Sequence, residues 1–207
     1  MDSQSIFLSF TPLAVYLLLL GLLNASRHPF LINGARDTAA FCLAISGMII
    51  VGPMEIFFPV NAAIQFGSFV WFFLILLYAL TILLIILCQR PRLIIYNIDK
   101  QRLRILLAET ALRLDDQSRW AGDSLYMPSL EVSLRIEEFA PLNNITLASN
   151  GSSVNRSGWK LLEKEIKREL EPVTVPRNPW AGGFILAAAI LISITIYTAV
   201  YSPVKFF

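Results

Sequence analysis

The chain has 207 residues, 56% of them hydrophobic and 15% charged, with a formal net charge of +2 and a mean hydropathy of +0.61. Soluble globular domains carry about 25% charged residues, so this composition excludes an ordinary soluble protein and points to a lipid bilayer. Basic and acidic residues are interspersed, which excludes the one-sided positive footprint of a nucleic-acid-binding protein.

A membrane-spanning helix needs about 20 mostly apolar residues. In chain order the sequence predicts such helices over residues 5–25, 38–58, 66–88 and 180–201. Each is apolar all round rather than striped, the pattern of a helix that meets lipid or other helices on every side. The first run resembles a secretory signal in position only. Its leader MDSQS contains an acid and no Lys or Arg, and the run exceeds the 7–15 residues (roughly) of a signal core. It is read as a true span.

Between the third and fourth runs lies a polar block, residues 90–177, which holds 14 of the 17 Lys and Arg and 12 of the 15 Asp and Glu. The run PRLIIYNI, residues 91–98, is a β-branched strand, and Asp99 is a helix N-cap. Leu103, Leu106, Leu107, Ala111 and Leu114 then follow at helical spacing. Three short strands come next, in DSLYM, EVSLRIEEF and NNITLAS; in the second, Val132, Leu134 and Ile136 alternate with Ser133, Arg135 and Glu137. A last helix aligns Trp159, Leu162, Ile166 and Leu170, with Glu163 and Lys167 as an i,i+4 pair. The expected fold is thus four transmembrane helices, three in residues 1–89 and one in 178–207, around a small α+β two-layer domain ordered strand, helix, three strands, helix. Its polar sheet face, with Ser133, Arg135, Glu137 and Thr146, is a solvated face or a docking surface.

Basic residues beside spans resist translocation. Arg27 and Arg36 follow the first span, and Arg90 and Arg92 follow the third. The segment before the first span and the loop between the second and third contain none. Residues 90–177 are therefore expected in the cytoplasm of a bacterial plasma membrane, with both termini outside. Lys205 in the tail is the one dissenting charge. Three N-x-[ST] triplets, at Asn144, Asn150 and Asn155, would be glycosylation acceptors in a lumen, but arise readily in a Ser- and Asn-rich stretch.

Motifs for nucleotide binding, hydrolysis or metal ligation are missing from the sequence. No cofactor is expected, and the balance is against an enzyme. His28, the single histidine, reads as an interfacial residue, and Cys42 and Cys88 as thiols within apolar runs. In the fourth span Gly183 and Ala187 form a small-x-x-x-small pair suited to helix packing, and Trp180, Tyr197 and Tyr201 form an aromatic belt. Glu55 is the strongest site candidate, because an acid within a span is costly and functional by default. It lies between Pro53 and Pro59, after Gly52, where proline can bend or end the helix. A helix running to Phe58 would put it roughly 5 Å from the boundary, in reach of headgroup water and, on the outer side, of Lys205. The expected partners are the bilayer and a protein or second copy, met through the spans or the soluble domain. The function expected is that of an adaptor, assembly factor or sensor presenting a non-catalytic interaction domain. The alternative is a transporter or membrane-embedded enzyme component, with Glu55, the Gly52–Pro53 break and Asn61 lining an outward-facing polar site.

Overall fold

The computed structural model describes residues 3–139, 144–151 and 155–201. The chain separates into two compact units: residues Met1–Leu20, Thr38–Gln89 and Phe184–Phe207 form one, and Gly21–Asp37 with Arg90–Gly183 the other. Four helices are long and apolar enough to cross a membrane, over Ser5–Ala25, Gly34–Met54, Phe69–Cys88 and Trp180–Val200.

In the first unit, helix α1 (Ser3–Ala25) contains Pro12 and helix α2 (Gly34–Ile49) contains Gly47. Pro12 has no N–H, so the Leu8 carbonyl loses its intrahelical donor. Gly47 packs against that carbonyl so closely that any Cβ at this position would collide with the Leu8 oxygen. Tyr16 and Phe41 add an edge-to-face contact with centroids 6.2 Å apart. Beyond α2 the backbone widens into a π-helical turn over Ile50–Met54, which contains Pro53. A widened turn accommodates a residue that cannot donate to the i−4 carbonyl. After Pro59 a short helix α3 (Val60–Phe66) occupies what the sequence suggests is an irregular loop, and Gly67, at φ +55°, ends it. Helix α4 (Phe69–Cys88) returns along α2, donating from the Tyr78 hydroxyl to the Cys42 carbonyl (2.6 Å) and accepting at Gln89, just past its end, from Thr38 (3.1 Å).

The second unit is built on a six-stranded, wholly antiparallel sheet in the order β1-β2-β6-β5-β4-β3. Its strands are β1 (Phe30–Asn33), β2 (Arg92–Tyr96), β3 (Arg119–Ala121), β4 (Ser124–Met127), β5 (Val132–Phe139) and β6 (Asn144–Ser149). The expected order of strand, helix, three strands, helix supplies only four of these. The two additional strands lie at the two edges. β3 is three residues long and is folded back on β4 by Gly122, at φ +62°. β1 comes from the short loop between the first two long helices and pairs with β2 from Phe30↔Tyr96 to Asn33↔Leu93. Such short strands carry too little alternation to be recognised from sequence; pairing to a neighbour creates them.

Helices α5 (Lys100–Leu114) and α6 (Arg156–Leu170) cover one sheet face. Leu103 and Leu107 from α5, Leu162 and Ile166 from α6, and Ile95, Leu134 and Ile145 from the sheet are completely or almost completely buried. Asp99 caps α5 by accepting from the Arg102 N–H (2.9 Å), as its sequence position suggests. Asn155 caps α6 through Ser157 and Gly158. The two helices are joined by Arg113–Glu169 (2.9 Å), and α6 carries Arg168–Glu165 (2.6 Å). The expected Glu163–Lys167 pair is not among the ion pairs of the described residues; both side chains line a cavity beside β1.

Asp115 follows α5 and is 3% exposed. Burial pushes its carboxyl upward. Hydrogen bonds from the Gln117 N–H and from the Ser129 N–H and hydroxyl outweigh burial and hold it below the ordinary carboxylate range. A depressed folded-state pKa stabilises the fold above the unfolded value of about 3.9, and the contribution disappears as pH falls through the folded value. Asp123 behaves alike, held down first by its hydrogen bond from Lys100 and then by the Lys100, Arg104 and Arg135 charges, against burial. Thermal melts across a pH series should therefore show the second unit losing stability below pH about 4. Asp115→Asn should lower the melting temperature at neutral pH and flatten this acid limb.

Candidate functional site

Glu55 lies just past the π-helical turn, is exposed, and donates its N–H to the Gly52 carbonyl. Gly52 and Pro53 lie within the turn, while the helical path resumes for Glu55 and Ile56 before ending ahead of Pro59. A cavity of about 600 Å³ opens between the two helices here, lined by Ser5, Ser9 and Phe10 of α1 and by Met48, Val51, Gly52 and Glu55. Ser9 is 3% exposed, and its hydroxyl donates to the Ser5 carbonyl (2.7 Å). The cavity combines one carboxylate, two hydroxyls and an otherwise apolar wall. Such a set can accept a proton or a hydrogen-bond donor, and its lining contains no basic side chain. Lys205 lies outside the described residues. Asn61 is exposed on α3 and is not part of this cavity. The hydroxyls were not legible in the sequence, because Ser5 and Ser9 meet Glu55 only through the approach of α1 to α2 at Gly47.

The remaining sequence candidates fall elsewhere. On helix α7 (Trp180–Tyr201) Gly183 is exposed, a Cβ there meeting only the Trp180 ring at 4.0 Å, and Ala187 is half-buried. The buried positions of α7 are Ala181, Ala188 and Thr195. Cys42 and Cys88 are free thiols, the first half-buried and the second exposed. No cluster of three or more His, Cys, Asp or Glu suited to a metal occurs among the described residues.

A second candidate is the sheet face opposite α5 and α6. Its pairing register aligns Arg119, Tyr126 and Ser133 in one row and Ser124, Arg135 and Ala148 in the next, followed by Glu137 beside Thr146. Tyr126 is 50% and Phe139 58% exposed, and Arg119, Arg135 and Glu137 are exposed with them. At the β2 end this face is closed by the start of α2, where the Tyr96 hydroxyl donates to Asp37 (2.5 Å).

A third polar constellation is a seam between residues 24–28 and 173–178. Asn178 donates its side-chain amide to the Asn24 side chain (2.9 Å) and its N–H to the Asn24 carbonyl (3.2 Å), with both residues at most 3% exposed. The Val175 N–H donates to the Arg27 carbonyl (2.8 Å), His28 Nδ1 lies 3.2 Å from the Val173 carbonyl oxygen, and the Asn97 amide donates to the Ser26 carbonyl (2.6 Å). His28 is thus a partner in a backbone seam.

Comparison with known protein families, characterised proteins and solved structures gives no match, so the functional reading rests on this geometry. The tight contact beneath the Glu55 cavity has a direct test. Gly47→Val should force α1 and α2 apart, costing about 1–3 kcal/mol and lowering the yield and melting temperature of the purified protein. A conservative change at Gly52, where an added Cβ would meet nothing within 4 Å, Gly52→Ala, should leave both nearly unchanged.

Proposed function

We propose that the chain is a multi-span integral membrane protein whose α+β unit presents a cytoplasmic, non-catalytic interaction surface: an adaptor, assembly factor or sensor that binds a protein partner. The observation carrying this reading is the exposed part of the sheet face over β5, β4 and β3, where Tyr126 has Arg119 and Arg135 beside it. Its opposite face is fully occupied by the hydrophobic core, so the domain already has its folding requirement met on one side. Tyr and Arg are the residue types that dominate binding energy at protein interfaces, because they combine broad contact area with directed hydrogen bonds. Four apolar helices suggest the membrane setting. The cytoplasmic placement rests on Arg27, Arg36, Arg90 and Arg92 flanking the same side of the spans.

Site-specific photocrosslinking in native membranes tests this reading. A photoreactive residue at position 126 or 135 should trap one discrete protein partner, and the same probe at Lys164 on the helix side should not. Equal labelling at all three positions, or none at 126 and 135, would sink the proposal. Arg135→Ala together with Tyr126→Ala should weaken a trapped partner's binding by about 100-fold, taking roughly 1–2 kcal/mol per truncated anchor.

A second reading, an ion- or proton-coupled component working at Glu55, is favoured by the serine-lined cavity beside a π-helical turn, a backbone irregularity frequent at functional sites. Under it, Glu55→Gln abolishes proton- or cation-dependent flux in reconstituted vesicles while leaving the melting temperature unchanged. Equal flux in the wild type and the variant eliminates this reading.

A further inference from the structure

Three arginines from distant parts of the sequence converge on one side of the second unit. Arg27 follows α1 by two residues, Arg177 precedes α7 by three, and Arg102 lies in the first turn of α5. They line a single open cavity of about 470 Å³ together with Thr174, Val175 and Pro176. The convergence is built by main-chain bonds. The Val175 N–H to Arg27 carbonyl bond joins the two flanking segments, and the Arg102 guanidinium reaches the Thr174 carbonyl at 3.2 Å.

The local charge is unbalanced. Asp99 is the nearest carboxylate to this group in an ion pair, at 3.4 Å from Arg102 Nε, and its other oxygen accepts the capping N–H of Arg102. Among the described residues neither Arg27 nor Arg177 is within 4.0 Å of a carboxylate. Three arginines lining one cavity, with a single carboxylate ion-paired among them, leave a local excess of positive charge that an anion in the cavity would offset. Guanidinium forks match phosphate oxygens in geometry, and several can share one phosphate.

The position of the cavity identifies the anion. Arg27 and Arg177 lie within a turn of the ends of two apolar helices, and the Trp180 ring, at the start of α7, is 54% exposed. Aromatic residues at span ends mark the headgroup level of the bilayer, and basic pockets there take anionic lipid headgroups. We propose that Arg27, Arg102 and Arg177 form a binding site for the phosphate of an anionic phospholipid headgroup. The site rests on the reading of α1 and α7 as membrane spans and is independent of the sheet-face partner.

The test uses the full chain in nanodiscs of phosphatidylcholine with and without phosphatidylglycerol. Phosphatidylglycerol should raise the melting temperature and remain bound in native mass spectra, and Arg27→Gln with Arg177→Gln should reduce the retained lipid at least several-fold. A control pair, Lys160→Gln with Lys164→Gln, should retain it. Equal loss in both pairs would show diffuse attraction and overturn the site. Inorganic phosphate or glycerol phosphate added to phosphatidylcholine nanodiscs should not reproduce the stabilisation; if it does, the ligand is a free phosphate and the lipid assignment is wrong. Should the arginine variant not fold, a photoactivatable phosphatidylglycerol applied to the wild type decides: adducts concentrated on residues 173–180 support the site, and adducts spread over all helix ends overturn it. A chain that does not enter phosphatidylcholine nanodiscs overturns the spanning reading and this proposal together, leaving the sheet-face proposal to its own crosslinks.

Discussion

The second unit depends on a ladder of four paired residues between β1 and β2. A loop joining two apolar helices has backbone N–H and C=O groups that must find partners. Here the loop meets that requirement by becoming the edge strand of a sheet whose next strand arrives only after α2, α3 and α4. Immediately upstream, residues 24–28 bond to Asn97 and to the segment leading into α7. The consequence is that the entire short loop, from Asn24 to Asn33, is committed to the α+β unit. All four long helices are therefore joined in sequence to segments of that sheet or its seam.

Within the first unit, proline chemistry plays the corresponding part. Pro12 frees the Leu8 carbonyl and Gly47 lets α2 approach it, so one missing N–H and one missing Cβ together permit this close contact between α1 and α2. Pro53 then forces the end of α2 to widen into a π-helical turn instead of continuing as regular α-helix. Those two departures from ideal helix geometry open the cavity in which Ser5, Ser9 and Glu55 are brought together.

The α+β unit divides its surface by the same economy of partners. One sheet face buries Leu134, Ile136 and Leu147 under two helices, and the other leaves Tyr126, Arg135 and Glu137 in solvent. Acidic side chains are placed where donors already wait: Asp115 over the Gln117 and Ser129 amides, Asp123 between Lys100 and Arg104. By contrast, the arginines at the seam have been brought together with little acid nearby. The excess basic charge at the seam and the exposed part of the sheet face are the two surfaces on which the proposals rest.

The long apolar runs, the Asp99 cap, the alternation in Val132–Phe139 and the helical spacing of Trp159, Leu162 and Ile166 were legible in the sequence, because each is a local signal read within one element. Glu55 was legible as a candidate for the same reason, an acid beside Gly52 and Pro53 in an apolar run. What surrounds it was not: Ser5 and Ser9 are separated from it by the whole first helix and loop. The edge strands, the Asn24–Asn178 pair and the meeting of Arg27, Arg102 and Arg177 were likewise decided only by tertiary structure. Hydrophobic periodicity is a property of neighbours in the chain. Hydrogen-bond partners and charge clusters are properties of neighbours in space, and a four-residue strand such as FLIN takes its conformation from the strand beside it rather than from itself.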